Sequence, residues 1–413
     1  MLTGSMTDRL YYRDSFLYDF DAKVDSVVES PRPGLVLDRS AFYPTSGGQI
    51  YDTGWIVAGG GNDAKVRVTE VADTEDGRIV HYLDAPLKNI QAGSRIHGEI
   101  DATRRRDHMQ QHSAQHVLSA AFVRLFGMAT VSFHMGDDYC SIDLDTPSLS
   151  QAQIEAAERM TNEIVLEDRP VDVRFVSREE AAELGLRKLP PASREQLRLI
   201  DVYDFDLSAC GGTHVSRTGQ IAGVLLRKFE KVRQGYRVEF VAGLRAVATA
   251  RRDFSTLTET AALFSANIYD VPQQARKALE EVRLLRKQRE QSQEELADAL
   301  AANLLGETAE RNGRKLVMRV FSDRELNFLK LLGQKITRQS PAAIALLGTT
   351  TPQPAVVFAQ SAGLPYDMGA LLKETMLKLG GRGGGTKDLA QGGAGKSEGL
   401  EEALRAAGET LSL

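Results

Sequence analysis

Asp107-His-Met-Gln-Gln-His-Ser-Ala-Gln-His116, read together with Cys210-Gly-Gly-Thr-His214, decides how the 413-residue chain is understood. His112 and His116 are four apart in a strongly helical run, Gln111 to Phe126, so both rings leave one face of one helix. Cys210 and His214 are also four apart, but Gly211 and Gly212 make their segment a tight turn that can bend thiolate and imidazole onto a common point. A lone His pair at this spacing is common on helices that bind nothing. Here the chain holds only seven His and two Cys, and three of those His and one Cys fall into two matching pairs. Imidazole and thiolate together suit zinc better than calcium or magnesium, which take oxygen ligands.

Around that pair of motifs the chain is too long for one ordinary domain. Its 42% hydrophobic and 26% charged residues are ordinary for a globular protein. No apolar run reaches the length of a membrane span, and no signal-peptide pattern opens the sequence, so a cytoplasmic location is expected. Two cysteines, Cys140 and Cys210, make no disulfide framework and leave Cys210 available as a thiolate. With a net charge of −5, binding to nucleic acid would have to come from local basic patches.

From Tyr11 to about Glu99 short alternating runs are broken by Gly, Pro, Asn and Asp, as in Gly34-Leu-Val-Leu-Asp38, Lys65-Val-Arg-Val-Thr-Glu-Val71 and Arg78-Ile-Val-His-Tyr-Leu83, which predicts a small antiparallel barrel. Within it Gly47-Gly48 reads as a hairpin turn needing positive φ, while the flanking Ser46 and Gln49 allow a close backbone approach to a phosphate. Arg104, Arg105 and Arg106 then read as a solvated helix start, with a phosphate contact as the alternative.

After the metal helix, Gly127 ends the run and Ala129–Met135 and Tyr139–Leu144 read as strands, with Ser132 and His134 on one face. Ser150 caps a helix over 151–166, and 224–229 with 236–241 form a hairpin, giving an α+β pattern. From Val271 to about Leu304 the composition turns to Gln, Glu, Lys, Arg, Leu and Ala. Ala278, Val282, Leu285, Leu296 and Ala299 fall near a 3.5 spacing that Arg289 and Ser292 interrupt, so a helical arm or short coiled coil is expected. The last hundred residues alternate strand and helix as a small α/β domain. They include Gly380-Gly-Arg-Gly-Gly-Gly-Thr-Lys-Asp-Leu-Ala-Gln-Gly-Gly-Ala394, which is read as an ordered anion-binding loop rather than a linker because helical pattern resumes after it. It is not a P-loop.

In this order the motifs resemble a free-standing alanyl-tRNA editing protein of the long AlaX type, related to the editing and C-terminal parts of alanyl-tRNA synthetase. Phe42-Tyr-Pro-Thr-Ser-Gly-Gly-Gln-Ile-Tyr-Asp-Thr-Gly54 resembles the glycine-rich segment of the family's barrel, and the two His/Cys motifs resemble the halves of its zinc site. The 380–394 segment resembles the signature of a DHH-associated C-terminal domain. The resemblance implies a multidomain α+β protein: an N-terminal small β-barrel over 1–103, a zinc-containing editing domain over 104–250, a helical arm over 251–310 and a C-terminal α/β DHH-associated, tRNA-binding domain over 311–413.

It also implies a zinc-dependent aminoacyl-tRNA deacylase that acts in trans on tRNA(Ala) mischarged with serine, or with glycine. Serine differs from alanine by one hydroxyl and glycine by one methyl, so an activating pocket discriminates weakly and a second, hydrolytic site is needed. Zn2+ would be held by His112, His116 and Cys210, with His214 either a fourth ligand or a neighbour of the ligands. Ser132, Thr130 or His134 would meet the amino acid. The tRNA would be contacted through Gly47, Gly48, Gln49, Arg104, Arg105 and Arg106, and in the C-terminal segment through Gly380, Gly381, Arg382, Gly383, Gly384, Gly385, Lys387, Gln391, Gly392 and Gly393. The protein would be a monomer or a homodimer. Competing readings are a non-catalytic tRNA-binding module with a structural zinc and the C-terminal part of a synthetase that edits in cis. A phosphodiesterase is disfavoured because Asp107-His108 is followed by Met109 and no Asp-His-His triplet occurs.

Overall fold

A computed structural model describes residues 6–58, 65–184, 186, 196–351 and 353–411. The chain divides into two compact units, 1–259 and 260–413.

In the first unit, two-residue strands β1 (Asp8–Arg9) and β4 (Arg39–Ser40) pair beside a closed six-stranded barrel. Its strands are β2 (Asp19–Val28), β3 (Gly34–Leu37), β5 (Gly54–Ala58), β6 (Lys65–Asp73), β7 (Ile79–Leu83) and β8 (Arg95–Ile100), in the order β2-β3-β7-β6-β5-β8. Alternation drives closure: Phe20, Ala22 and Val24 of β2 and Ile96 and Ile100 of β8 point into a core with Phe42, Val68 and Ile79. Closing the sheet removes the edges that an open sheet of this size would expose.

Helix α1 (Ala102–Phe126) leaves the barrel directly. Asp101 caps it by accepting from the amides of Thr103 and Arg104, and Gly127 at φ 68° ends it. It begins well before Gln111, so the arginine triplet lies in its first turns. From His108 to Phe122 every residue is buried, among them His108, Gln110, Gln111, Ser113, Gln115 and Ser119. A helix buried on all sides with this much polar surface needs partners for each polar group, and that requirement locates the site.

Strands β9 (Ala129–Met135), β10 (Cys140–Asp145), β14 (Val224–Val232) and β15 (Gly235–Ala242) form a sheet in the order β14-β15-β10-β9. Helix α2 (Gln151–Leu166) starts in a complete Ser150/Gln153 capping box. Strands β11 (Val171–Ser177), β12 (Gln196–Val202) and β13 (Asp206–Ala209) form a second sheet, with the short helix α3 (Arg178–Glu183) between the first two. Helix α4 (Gly243–Leu263) follows β15, and residue 250 falls inside it.

The second unit opens with α5 (Val271–Glu307) and a six-stranded sheet. In chain order the sheet is β16 (Glu310–Arg311), β17 (Arg314–Phe321), β18 (Ala343–Thr349), β19 (Ala355–Gln360), β20 (Arg382–Gly385) and β21 (Leu389–Gly393). Helix α6 (Leu326–Gln339) lies in one core layer, and α7 (Met368–Lys378) and α8 (Leu400–Glu409) in the other. The glycine segment is ordered as expected, but as the β20–β21 hairpin rather than as an anion-binding loop. A Cβ on Gly381, Gly383 or Gly385 would come within 2.2–2.6 Å of other atoms, so glycine is needed there for close strand approach. Among the described residues no helix is long and apolar enough to cross a membrane.

Candidate metal centre

Helix α1 and the turn after β13 bring His112, His116, Cys210 and His214 together, with their donor atoms all within 4.8 Å of one another. Sγ of Cys210 is 3.4 Å from Nε2 of His112 and 3.3 Å from Nε2 of His214. A tetrahedral zinc with bonds of about 2.0–2.3 Å has ligand-to-ligand edges of about 3.3–3.6 Å, so the spacing and chemistry of this donor set fit that ion. His214 stands as close to the thiolate as His112 does, which makes it a donor of equal standing.

Each imidazole is also held from behind. Nδ1 of His112 lies 2.7 Å from Oε1 of Gln49, Nδ1 of His214 lies 3.2 Å from Oγ of Ser113, and Nδ1 of His116 lies 3.4 Å from Asp206. Such contacts fix ring orientation and leave Nε2 for a metal. The two histidines of α1 thus depend on one residue from the barrel and one from β13. Asp206 lies outside both motifs, and Ser113, inside the first, was not read as a partner; only the general need of a ligating histidine for an outer partner signals such groups.

The turn itself is shaped by contact. A Cβ on Gly212 would come 2.2 Å from Cε1 of His112, so a side chain there would push into the ligand. Nη1 of Arg198 donates to the carbonyls of Cys210 and Gly212, and its Nε donates to the carbonyl of Tyr12. Burial opposes ionisation of Cys210, but the charges of His112, His214 and His116 outweigh it and hold the thiol well below its usual range. Burial likewise pulls His116 down, yet the Cys210 thiolate and Asp206 carry it up to about 9, while burial pushes His214 down to about 3. His108, one turn before His112, is pushed down to about 3 by burial and then by Arg104, Arg245 and Arg105, so it stays neutral.

Gly47 and Gly48 make the expected positive-φ turn, at 57° and 85°, closed by the Ser46–Gln49 bridge. Gly48 also meets β9: its carbonyl accepts from the amide of Met135, and a Cβ on it would come 2.4 Å from the carbonyl of Phe133. The barrel hairpin is therefore clamped to the strand beside the metal cluster. Gln49 is fully buried, holding His112 and, through its amide, Thr213, so it faces the cluster and not solvent.

The arginine triplet divides. Arg105 is fully buried, with its guanidinium on Asp52 and on the carbonyls of Ser15 and Ala41, which removes it as a phosphate contact. Arg106 is exposed, and Arg104 is half-buried over the ring of Tyr51.

A cavity of about 880 Å³ opens onto His112, His116 and Cys210, walled by Tyr43, Gln115 and Thr130 among others. A β-bulge between Ser132 and Thr130 sets which residues of β9 face it. Phe133, paired with core residue Ile142, packs against His112, with ring centroids 5.3 Å apart. Thr130, paired with core residue Leu144, reaches Oγ of Ser119 at 2.7 Å. Ser132 and His134 do share a face, but it is the opposite one. The Ser132 hydroxyl donates to Asp143, itself paired with Arg237, so although Ser132 is among the residues lining the cavity its hydroxyl is engaged on the other face of the strand.

Two family models match: one described as tRNA synthetases class II (A), over residues 5–104, and one described as threonyl and alanyl tRNA synthetase second additional domain, over 197–238. The chain is 31% identical to alanyl-tRNA editing protein AlaX-L of Pyrococcus horikoshii over 391 residues, 94% of each chain. It is 31% identical to the alanine–tRNA ligase of Pyrococcus furiosus and 30% to that of Methanobrevibacter smithii, covering 96% and 97% of this chain but 43% and 45% of those ligases. The chain therefore spans less than half the length of the ligases. A crystal structure of the C-Ala domain of Aquifex aeolicus alanyl-tRNA synthetase aligns with 26% of the chain at 23% identity and a TM-score of 0.25, too low to bear on the fold.

Proposed function

Because the chain belongs to the family of the alanyl-tRNA editing protein AlaX-L, we propose that it is a zinc-dependent deacylase that hydrolyses the ester of seryl-tRNA(Ala), and of glycyl-tRNA(Ala), releasing free amino acid and tRNA. The observation that carries this reading is the convergence of His112, His116, Cys210 and His214, the first three of which line a cavity large enough for an aminoacylated terminal nucleoside.

The chain's own residues have distinct tasks. Tyr43 and the bare backbone of Gly47 receive the tRNA terminus at the cavity wall. Thr130 offers its hydroxyl to the serine side chain, with the Ser132 hydroxyl engaged by Asp143 and His134 facing away. Arg104 and Arg106 meet the phosphates, Arg105 being committed to Asp52. In the second unit, read as a DHH-associated domain, the glycine hairpin from Gly380 to Gly393 brings Arg382 and Lys387 to RNA. A bound zinc would supply charge to polarise the ester carbonyl or to orient the aminoacyl end.

The test is deacylation of seryl-, glycyl- and alanyl-tRNA(Ala) by purified protein, with and without chelator, and by Cys210→Ala. Activity on the seryl ester that disappears with the metal is expected; undiminished activity of the metal-free protein overturns the mechanism. The four-donor set also favours a second reading, a structural zinc in a tRNA-binding module, since a closed sphere offers no open position. That reading predicts tRNA binding without hydrolysis in the same assay.

A further inference from the structure

Tyr11, Tyr12 and Tyr43 all line the cavity that opens onto the metal cluster. Two of them have committed hydroxyls. That of Tyr11 accepts from Nη1 of Arg9 at 3.3 Å, and that of Tyr43 donates to the carbonyl of Ser46 at 2.9 Å. Tyr12 ends the short turn Leu10–Tyr12 that follows β1, and its hydroxyl has no hydrogen-bond partner among the described residues. That hydroxyl lies 3.4 Å from where a Cβ on Gly211 would stand, so it borders the turn between Cys210 and Gly212.

The Tyr12 ring is also within reach of two guanidiniums, with Cζ of Arg198 at 5.6 Å and Cζ of Arg9 at 5.7 Å from its centroid. Arg9 is paired with Asp73. Arg198 has no carboxylate partner among the described residues although it is only 8% accessible, and its Nη2 makes no hydrogen bond. Its remaining donors go to the carbonyls of Tyr12, Cys210 and Gly212. A buried cation without a carboxylate is costly, and negative charge that forms beside it relieves that cost.

We propose that Tyr12 is a catalytic residue, the proton donor to the ribose oxygen that leaves when the ester is cleaved, with Arg198 and Arg9 stabilising the phenolate so formed. The inference rests on the deacylase reading and adds to it the group that acts on the leaving alcohol, which departs poorly as an alkoxide. Water adds to the ester carbonyl carbon and loses one proton to solvent. The bond from that carbon to the ribose oxygen then breaks, its electron pair stays on the oxygen, and the phenolic proton of Tyr12 moves there to give a free hydroxyl. The released carboxyl ionises, and the phenolate regains a proton from solvent. Until then its charge lies against two cations already in place, which need no reorganisation as it forms.

The test is Tyr12→Phe in the full chain, which keeps the ring and its contacts and removes only the donor. On seryl-tRNA(Ala) kcat should fall about 100-fold or more, with KM and zinc content kept. Arg198 is left in place because it also holds the Cys210 turn. A second substrate, whose terminal ribose carries fluorine in place of the hydroxyl next to the ester, has a less basic leaving oxygen, and on it the loss should shrink. A kcat loss well short of about 100-fold, or an equal loss on both esters, overturns donation to that oxygen. A rise in KM with kcat kept would make Tyr12 a binding group only, and loss of zinc along with activity would make it structural; either result overturns the proposal. An unaltered chain that leaves the seryl ester intact overturns deacylation itself, so the two failures are told apart.

Discussion

Oε1 of Gln49, a barrel-side residue, lies 2.7 Å from Nδ1 of His112 on α1, and the same oxygen accepts from the amide of Thr213 in the turn that carries Cys210. One side-chain amide thus ties three segments, distant in sequence, to one imidazole. Loss of such an outer partner typically costs about 10–100-fold in metal affinity. Gln49→Ala is therefore expected to weaken zinc retention by that order, measured by competition with a chromogenic chelator. The circular dichroism spectrum should be kept, because Gln49 belongs to no strand. Wild-type zinc affinity in the variant would show that His112 is oriented without it.

Arg105 and Asp52 are both fully inaccessible and form a charge pair between α1 and the chain after the glycine turn. Removing one partner of such a pair leaves an uncompensated buried charge, at a cost of about 3–5 kcal/mol. Arg105→Met and Asp52→Leu should each lower the unfolding free energy from urea melts by that order, and the double variant should recover much of the loss. Equal additivity of the two single effects would mean that the two charges are not coupled in this way.

The convergence of the His/Cys cluster was legible in the sequence because its donor groups are themselves the motif: two histidines on one helical face and a Cys/His turn declare their spacing locally. The barrel was legible for a similar reason, alternation being a property of each strand alone. What sequence spacing could not carry is the tertiary partner. Arg105 reads as surface charge until Asp52 is brought beneath it. Ser132 reads as facing the site until the bulge next to it reverses which side of β9 turns inward. The glycine segment at 380–393 was expected as an ordered anion-binding loop because helical pattern resumes after it, but glycine weakens a strand pattern, so the hairpin, where close packing needs the missing side chains, went unread.

His81 is enclosed in the barrel, its Nδ1 donating to the carbonyl of Leu35 at 3.1 Å and its Nε2 accepting from Ser40 at 2.7 Å. Burial pulls it down to about 4, against a weaker opposing effect of the Leu35 hydrogen bond. The unfolded chain takes up this proton near the ordinary value of about 6.5 and the folded chain only near 4, so the unfolded state binds more protons between the two. The contribution is fully present above about pH 6.5 and is lost as pH falls toward 4, a loss of about 3 kcal/mol. Urea melts at several pH values should show a shallower acid decline in His81→Gln than in the unaltered chain. An unchanged slope would assign the acid sensitivity to other groups.

Thr130 and Ser132 are separated by one residue, yet only Thr130 turns its hydroxyl inward, toward Ser119 on the metal helix. If that hydroxyl meets the serine of the mischarged tRNA, Thr130→Val leaves the substrate's own hydroxyl without a buried partner, at about 1–3 kcal/mol. Preference for seryl- over alanyl-tRNA(Ala), measured as a ratio of kcat/KM values, should fall about 10–100-fold, with zinc content unchanged. Ser132→Ala loses only a bond to Asp143 on the far side of the sheet, so the ratio should move by less than about threefold. The reverse pattern would place serine recognition at Ser132, and the bulge in β9 would then have no part in choosing the substrate.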